Sequence, residues 1–447
     1  MISHLMPLIT NLKNSSSKSK LLNGFKSGAA AHYDPRSQII TLDSYIRQDV
    51  EQLKHAGGVK QKEFAAAVIH EFTHWIDHVS SLWGQRNLYA WFNGIAAWKG
   101  KDETRYPAVI IARQSLKAMK YATYFSTIEI GDMAEARKGV PWRYKYTAGR
   151  AFDAHGNAKM EHPILFTRFQ TFAGKSIGRV PMSVGALLEV NAIAADLCFD
   201  MLHVAEAAEA GDLVEKGIRE KAVNNKYLDI LYSAEFVEYS VAAHCLANSV
   251  KGLGIFEAYR RAARLSEIAM NLPSDLFDKI RLPKKCEPFA NLHPHFLKRR
   301  DIGYAYWCLC QHAMQSPAND PEMWPETALT NAGLPNTAAI TKGALSEMKS
   351  LLGSVPTGEI GAYLHEVITY GISVFEKHGV SRIRDIYEIY HEAEAEGRIP
   401  MTLLGDDTVL GSSHAWQTIK PAKIEDWFNE IDDFDTWSET FESACIP

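Results

Sequence analysis

The sequence predicts an α+β protein that is helical over most of its length. Three patterns support this fold class. Residues 38–42 are rich in β-branched side chains and indicate a strand, residues 142–182 alternate in polarity and contain turn residues, and most of the remaining chain has apolar residues at helical spacing. We expect a mixed domain over residues 1–250, in which 142–182 form a β-rich insertion, and a mostly helical domain over 251–447.

The predicted elements follow from local composition. Residues 11–20 are polar and form a lead-in, and a first helix follows the strand. A second helix is predicted over residues 60–80, where apolar side chains recur at helical spacing, and residues 85–140 are also expected to be helical. The 142–182 segment is typical of a β-hairpin or flap and is our candidate for substrate contact. Helix returns at about residue 183 with a stretch that is apolar on nearly every side, as in a buried core helix.

Composition and charge limit the classes of partner. The chain has 447 residues, of which 46% are hydrophobic and 23% are charged, as in ordinary globular proteins. The 48 basic and 53 acidic residues give a net charge of -5, so we expect neither nucleic acid nor a membrane surface as partner. Six cysteines without a repeated spacing, no recognisable signal peptide and no run of 18 apolar residues predict a cytoplasmic protein, with secretion by a signal-less route left open.

The most informative stretch is AAAVIHEFTHWIDH at residues 65–78. His70 and His74 are four residues apart on a predicted helix, so both imidazoles project from one face, as two ligands of a tetrahedral zinc ion must. Glu71 lies about 100° around the helix from His70, where a general base for a zinc-activated water is needed. A chance occurrence of this pattern is expected only about 0.04 times in a chain of this composition.

Two further residues of the same helix need a separate interpretation. His78 lies about 12 Å from His70 along the helix, too far to share one zinc ion, so we expect it on the helix surface or facing substrate. Asp77 returns to the ligand face and can accept a hydrogen bond from a ligand histidine. A solvent-exposed helix acid is the alternative for Asp77.

The third ligand must come from another element. Glu189 is the best candidate, because a lone carboxylate in an otherwise apolar helix is costly to bury unless a cation pairs with it. Three alanines follow it and would allow a close approach between helices. Asp196, two turns further on, is a candidate to hydrogen-bond a ligand. Two alternatives stay open: Glu189 faces solvent, or the ligand is Glu235 or Glu238 in the stretch SAEFVEYSVAAHC.

The HEFTH motif at residues 70–74 resembles the zinc-binding helix of the zincin metallopeptidases, and the downstream helical glutamate resembles their gluzincin branch. The resemblance implies a zincin-like catalytic domain with one zinc ion per chain, in which His70, His74 and Glu189 are ligands and Glu71 is the general base and acid. It also implies an antiparallel edge strand that aligns an extended peptide. The chain lacks a third-histidine continuation and lacks an Asn before Glu189.

The interval of 114 residues between His74 and Glu189 is longer than a minimal gluzincin needs, so no oxyanion-stabilising residue is carried over. Tyr239 and His244 are the candidates for that role. The cluster of histidines and cysteines at residues 293–312 lacks the spacing of zinc ribbons, so we interpret it as core packing and surface residues.

These observations predict a zinc metallopeptidase that hydrolyses a restricted protein or peptide substrate. Two other functions stay open. One is a zincin fold that serves as a binding or regulatory module without peptidase activity, and the other is an all-helical interaction protein in which HEFTH is accidental. The oligomeric state is left open, as is the question of whether activity is triggered.

Overall fold

A computed structural model describes residues 31–56, 59–119, 121, 123–128, 141–153, 155–250, 252–313, 323–410 and 424–445. Within these ranges the protein is a mixed α+β structure with small sheets, as the sequence predicts. The predicted polar lead-in at residues 11–20 lies outside them. None of the helices found in these ranges is long and apolar enough to cross a membrane.

The helices and strands are numbered in chain order. The helices are α1 (Arg47–Ala56), α2 (Val59–Ser80), α3 (Leu82–Gly100), α4 (Pro107–Met119), α5 (Val184–Glu209), α6 (Leu213–Leu231), α7 (Val237–Ser249), α8 (Ile255–Met270), α9 (His293–Lys298), α10 (Ile302–Ala313), α11 (Trp324–Asn331), α12 (Thr337–Leu352), α13 (Glu359–His378), α14 (Ile386–Ala395) and α15 (Ile424–Cys445). The strands are β1 (His32–Asp34), β2 (Ile39–Leu42), β3 (Thr127–Ile128), β4 (Arg143–Phe152), β5 (Ala158–Gln170), β6 (Ser176–Pro181), β7 (Thr402–Leu404) and β8 (Val409–Leu410).

The chain divides into two compact units. The first contains the described residues up to Ser115 together with Met348–His378 and Arg384–Cys445. The second contains the described part of Leu116–Glu347 together with Gly379–Ile383. This division differs from the predicted boundary at residue 250, because the C-terminal part of the chain supplies strands and helices to the same unit as the N-terminal part.

The sheet of the first unit shows how the distant parts of the chain combine. Its strand order is β1-β2-β7-β8, with β2 antiparallel to β1 and parallel to β7. Thr41 of β2 lies opposite Leu403 of β7. All four residues of β2 are buried, as expected for a strand that is covered on both faces. The predicted strand at 38–42 is therefore present, and its partner comes from the far end of the chain.

Helix α2 lies at the centre of the first unit. It contacts β1, β2, α1, α3, α13 and α14. Two aromatic pairs fix it to the C-terminal helices: the Phe72 ring lies 5.0 Å from the Tyr390 ring of α14, and the Trp75 ring stacks at 5.6 Å on Tyr370 of α13. The helix predicted for residues 60–80 is thus surrounded by other elements on most sides.

The second unit contains an antiparallel sheet in the order β3-β6-β5-β4. Its long hairpin β4/β5 turns at Asp153, whose Oδ1 accepts hydrogen bonds from the backbone N–H groups of His155 and Asn157 at 2.9 and 2.8 Å. The hairpin predicted over 142–182 is present. The helix predicted through residue 140 is wrong at Thr127–Ile128, which pair with β6 instead, and residues 129–140 lie outside the described ranges.

Helix α5 is the core helix of the second unit. It packs on α6, α7 and α8, and residues such as Leu187, Val190 and Ala195 are fully buried. Ser183 caps its N-terminus by accepting a hydrogen bond from the backbone N–H of Ala186 at 3.2 Å. The almost wholly apolar stretch after residue 183 therefore forms the buried helix that its composition predicts.

Candidate metal centre

The two histidines of the HEFTH motif lie side by side on α2. Their ring centroids are 4.9 Å apart with the ring planes at 82°, and each ring offers a nitrogen within 4.8 Å of a nitrogen of the other. Between Val68 and Ser80, His70 and His74 are the two residues that are half-buried, and every other residue is buried. The one accessible strip of this part of α2 consequently presents two imidazoles.

The C-terminal end of α2 packs closely against the start of the next helix. The Ser81 hydroxyl donates to the carbonyl oxygen of Asp77 at 2.5 Å and accepts from the backbone N–H of Gly84 at 2.9 Å. Gly84 itself leaves no room for a side chain, because a Cβ there would lie 2.3 Å from the carbonyl oxygens of Asp77 and His78. The end of the histidine-bearing helix is thus seated on the first turn of α3.

A second glycine presses on the same end of α2. A Cβ at Gly371 of α13 would lie 1.6 Å from the carbonyl oxygen of Val79. That carbonyl also accepts a hydrogen bond from Gln85 Nε2 at 2.8 Å. The Val79 carbonyl, at the end of α2, is therefore satisfied by a side chain of α3.

The two acids of the motif region are both buried. Glu71 is 6% exposed and Asp77 is 0% exposed. The alternative of a solvent-exposed Asp77 is therefore excluded, while its hydrogen bond to a ligand histidine stays a prediction. Glu71 directly follows His70 in the chain, and its burial shields it from bulk water.

His78 does not lie on the helix surface, so that expectation is wrong. It is 1% exposed, and its ring packs against Tyr33 and Trp83 with both centroids at 5.2 Å. Its Nδ1–H donates to the carbonyl oxygen of His74 at 2.8 Å. Burial lowers the pKa of His78 to about 4, so the ring is neutral at physiological pH. This bond ties the His78 ring to the backbone of the preceding helical turn.

Glu189 lies on the second turn of α5 in the second unit and is half-buried. It lines a pocket with an empty volume of about 440 Å³, whose wall also includes Ser183, Glu238 and Tyr239. Packing of α7 beside α5 therefore brings together Glu189, its rival Glu238 and the proposed oxyanion residue Tyr239.

The other predicted acids lie elsewhere. Glu235 is exposed on the 3-10 turn Ala234–Phe236 that precedes α7, outside the residues that line the pocket. Asp196 is half-buried two turns beyond Glu189 on α5 and also lies outside the pocket lining. Of the two rivals for the third ligand, Glu238 is the one that shares a pocket with Glu189.

The two candidates for oxyanion stabilisation have different surroundings. Tyr239 is 39% exposed and lines the pocket. His244 is 3% exposed, stacks on Trp142 with centroids 5.2 Å apart, and donates from Nε2 to the carbonyl oxygen of Leu231 at 2.6 Å. Burial lowers the pKa of His244 to about 4. These contacts are typical of a core histidine, and Tyr239 is the candidate with access to the pocket.

The histidines and cysteines at residues 293–312 take part in packing. Cys308 and Cys310 are fully buried in α10. His293 bonds the Tyr304 hydroxyl and the carbonyl oxygen of Ile280, and His312 donates to a backbone carbonyl at 2.8 Å. Among the described residues, no group with metal-binding geometry includes any of them.

Sequence reasoning missed Tyr121, which lines the same pocket as Glu189. Its hydroxyl donates to Asp301 Oδ2 at 3.3 Å, and burial raises the pKa of both groups. No motif surrounds Tyr121 in the sequence. Its place in the pocket depends on long-range packing within the second unit, which no local pattern reveals.

The donor types on α2 fit zinc. Two imidazoles whose nitrogens lie within 4.8 Å of each other, together with one carboxylate, form a ligand set that zinc prefers. Comparisons of the chain with protein-family models, with curated proteins and with solved structures gave no match.

Proposed function

We propose that the protein is a zinc-dependent metallopeptidase with a zincin-like catalytic domain, in which His70, His74 and Glu189 bind one zinc ion. One observation carries the proposal. Between Val68 and Ser80 of α2, every residue is buried except His70 and His74, which are half-buried. The buried Glu71 lies between them in the sequence. The small sheet β1-β2-β7-β8 against which α2 packs is compatible with such a domain.

The chemistry follows from the environment of Glu71. Zinc, when bound, supplies a Lewis acid that polarises the scissile carbonyl and lowers the pKa of a water. Glu71 accepts the proton of the attacking water at its carboxylate and later delivers it to the leaving nitrogen. Its burial favours this role, because bulk water is kept away from the carboxylate.

The proposed third ligand and the pocket residues belong to the same part of the second unit. Glu189 is half-buried beside the buried Leu188 and Val190 in the first two turns of α5, where a carboxylate is costly to bury unless it is paired. Tyr239 from α7 lines the pocket with it and offers a hydroxyl that can donate to a substrate carbonyl oxygen.

The test combines metal analysis with cleavage of a peptide library. We expect about one zinc per chain at the HEFTH site, lost in His74→Ala and retained in Glu71→Gln. Cleavage should fall at least about 100-fold in Glu71→Gln, because that change removes the proton acceptor. Glu63→Gln is the matched control, since Glu63 is an exposed glutamate on the same helix, and it should leave both zinc and cleavage unchanged.

Two outcomes would contradict the proposal. Zinc at this site together with a biological function that survives Glu71→Gln would indicate a binding or regulatory module. Absence of zinc from the His70 and His74 site would make the motif accidental.

The third ligand has its own test. Glu189→Gln should weaken zinc binding more than tenfold, whereas Glu238→Gln should leave zinc content unchanged. The reverse pattern would transfer the ligand role to Glu238, which lines the same pocket. Zinc binding as tight as that of the wild type in both variants would remove both residues from the ligand set.

A further inference from the structure

A second group of metal-ligand side chains lies in the first unit, away from the HEFTH motif. His378 is the last residue of α13, and Glu388 and Glu392 are one turn apart on α14. Each offers one ligand atom, and these atoms all lie within 4.8 Å of one another. Nothing in the motif analysis pointed to this group, because the residues are spaced without any recognisable pattern.

The histidine is prepared as a ligand. Its side chain is only 3% exposed, and its Nδ1 bonds Asp385 Oδ2 at 3.2 Å. A carboxylate on Nδ1 fixes the tautomer in which Nε2 carries a lone pair, which is the usual arrangement behind a metal-bound histidine. Nε2 has no hydrogen-bond partner among the described residues, and it lies 3.7 Å from Glu392 Oε2.

The two carboxylates both pair with the ammonium group of Lys377. Lys377 Nζ bonds Glu388 Oε1 at 2.7 Å and also pairs with Glu392 Oε1. The Oε2 oxygen of Glu392 faces His378 instead. A divalent ion at this place must compete with the ammonium group of Lys377.

We propose that His378, Glu388 and Glu392 bind a second divalent cation of the zinc type, which clips the end of α13 to α14. One imidazole and two carboxylates suit zinc, whereas magnesium prefers an octahedral set of oxygen ligands. The ion would close the loop between the two helices. Because α13 and α14 both pack on α2 through Tyr370 and Tyr390, the clip would stabilise the surroundings of the helix that bears the HEFTH motif.

The experiment uses the full chain carrying His74→Ala, in which a proposed ligand of the first site is absent. Zinc binding is measured by equilibrium dialysis, and unfolding is followed by a thermal melt with and without zinc. We expect one zinc per chain and a rise in Tm on adding zinc, with no such effect from magnesium at the same concentration. His378→Gln in this background should weaken zinc binding at least tenfold and abolish the rise in Tm.

Two further variants sharpen the test. Lys377→Met should strengthen zinc binding about tenfold, because it removes the competing positive charge from both carboxylates. His391→Gln is the matched control, since His391 is another histidine on α14 near a glutamate, and it should leave zinc binding unchanged. Glu392→Gln replaces His378→Gln as the loss-of-ligand variant if the latter does not fold.

Three results would overturn the proposal. They are no zinc bound in the His74→Ala background, zinc binding that is unchanged from this background in both His378→Gln and Glu392→Gln, or weaker zinc binding in Lys377→Met. The proposal stands apart from the metallopeptidase proposal. If His74→Ala binds as much zinc as the wild type and His378→Gln lowers it, the clip is supported and the HEFTH site is refuted.

Discussion

Replacement of Gly84 by alanine tests whether the seat of α2 on α3 holds the histidine pair in place. The added Cβ would lie 2.3 Å from two backbone carbonyl oxygens and 2.5 Å from the His78 Cα, about 1 Å closer than an ordinary contact, and none of these atoms belongs to a flexible side chain. Overpacking of this kind costs about 3 kcal/mol, and the better helix propensity of alanine returns about 1 kcal/mol. The net loss of about 2 kcal/mol corresponds to a fall in Tm of roughly 4–8 °C for a unit of this size.

The displacement also has a consequence for zinc. Because Gly84 lies against the carbonyls of Asp77 and His78, the methyl group of alanine would displace this turn of α2. The His78 ring in this turn bonds the carbonyl oxygen of His74. We expect zinc binding at the HEFTH site to weaken at least tenfold, as measured by competition with a chromogenic chelator. Gly100→Ala is the control, since Gly100 ends the same helix and has open space around its Cβ position. If Gly84→Ala melts and binds zinc like Gly100→Ala, the close approach does not position the site.

Three other predictions concern side-chain contacts that lie within one unit or the other. In His244→Gln the amide keeps an N–H donor for the Leu231 carbonyl but cannot titrate. Burial lowers the pKa of His244 from 6.5 to about 4, so the unfolded chain takes up the proton first as the pH falls. Urea melts of the wild type should therefore show a fall of roughly 3 kcal/mol in the free energy of unfolding between pH 6.5 and pH 4 that is absent from the variant. Glu267→Leu should lower the free energy of unfolding in urea by about 3 kcal/mol, because the fully buried Arg382 guanidinium lies 3.6 Å from the Glu267 carboxylate. A smaller loss in the double variant Glu267→Leu/Arg382→Met would identify the unpaired buried charge as the cause. Arg113→Ala should cost about 2 kcal/mol and speed hydrogen exchange in α15, since Arg113 pairs with acids of that helix, and unchanged exchange there would contradict it.

The parts of the fold and site that the sequence predicts are local. The i,i+4 spacing of His70 and His74 places two rings on one helix face whatever surrounds the helix, and the rings lie 4.9 Å apart. The β4/β5 hairpin and the buried helix α5 are equally local, because alternation and continuous apolarity need no knowledge of distant residues. Such patterns identify elements and the residues on one face of an element.

The parts that the sequence could not predict depend on long-range packing. The division into units fails to follow chain order because β2 pairs with β7 from the far end of the chain. Glu238 and Glu189 could not be separated as ligands, since the packing of α7 beside α5 puts both in one pocket. The surface position expected for His78 is wrong for the same reason. A helix with neighbours on nearly every side has no broad solvent face on which that residue could lie.

The burial of α2 bears on why its polar residues are there. A helix enclosed on nearly every side gains most stability from apolar residues, and a buried carboxylate costs several kcal/mol unless it is paired. Yet α2 places Glu71 and Asp77 inside, and its accessible strip between Val68 and Ser80 carries two imidazoles. Selection for stability alone would favour apolar side chains at these positions. Four polar side chains within two turns of one enclosed helix depart from that expectation together, and the proposed zinc site would account for all four.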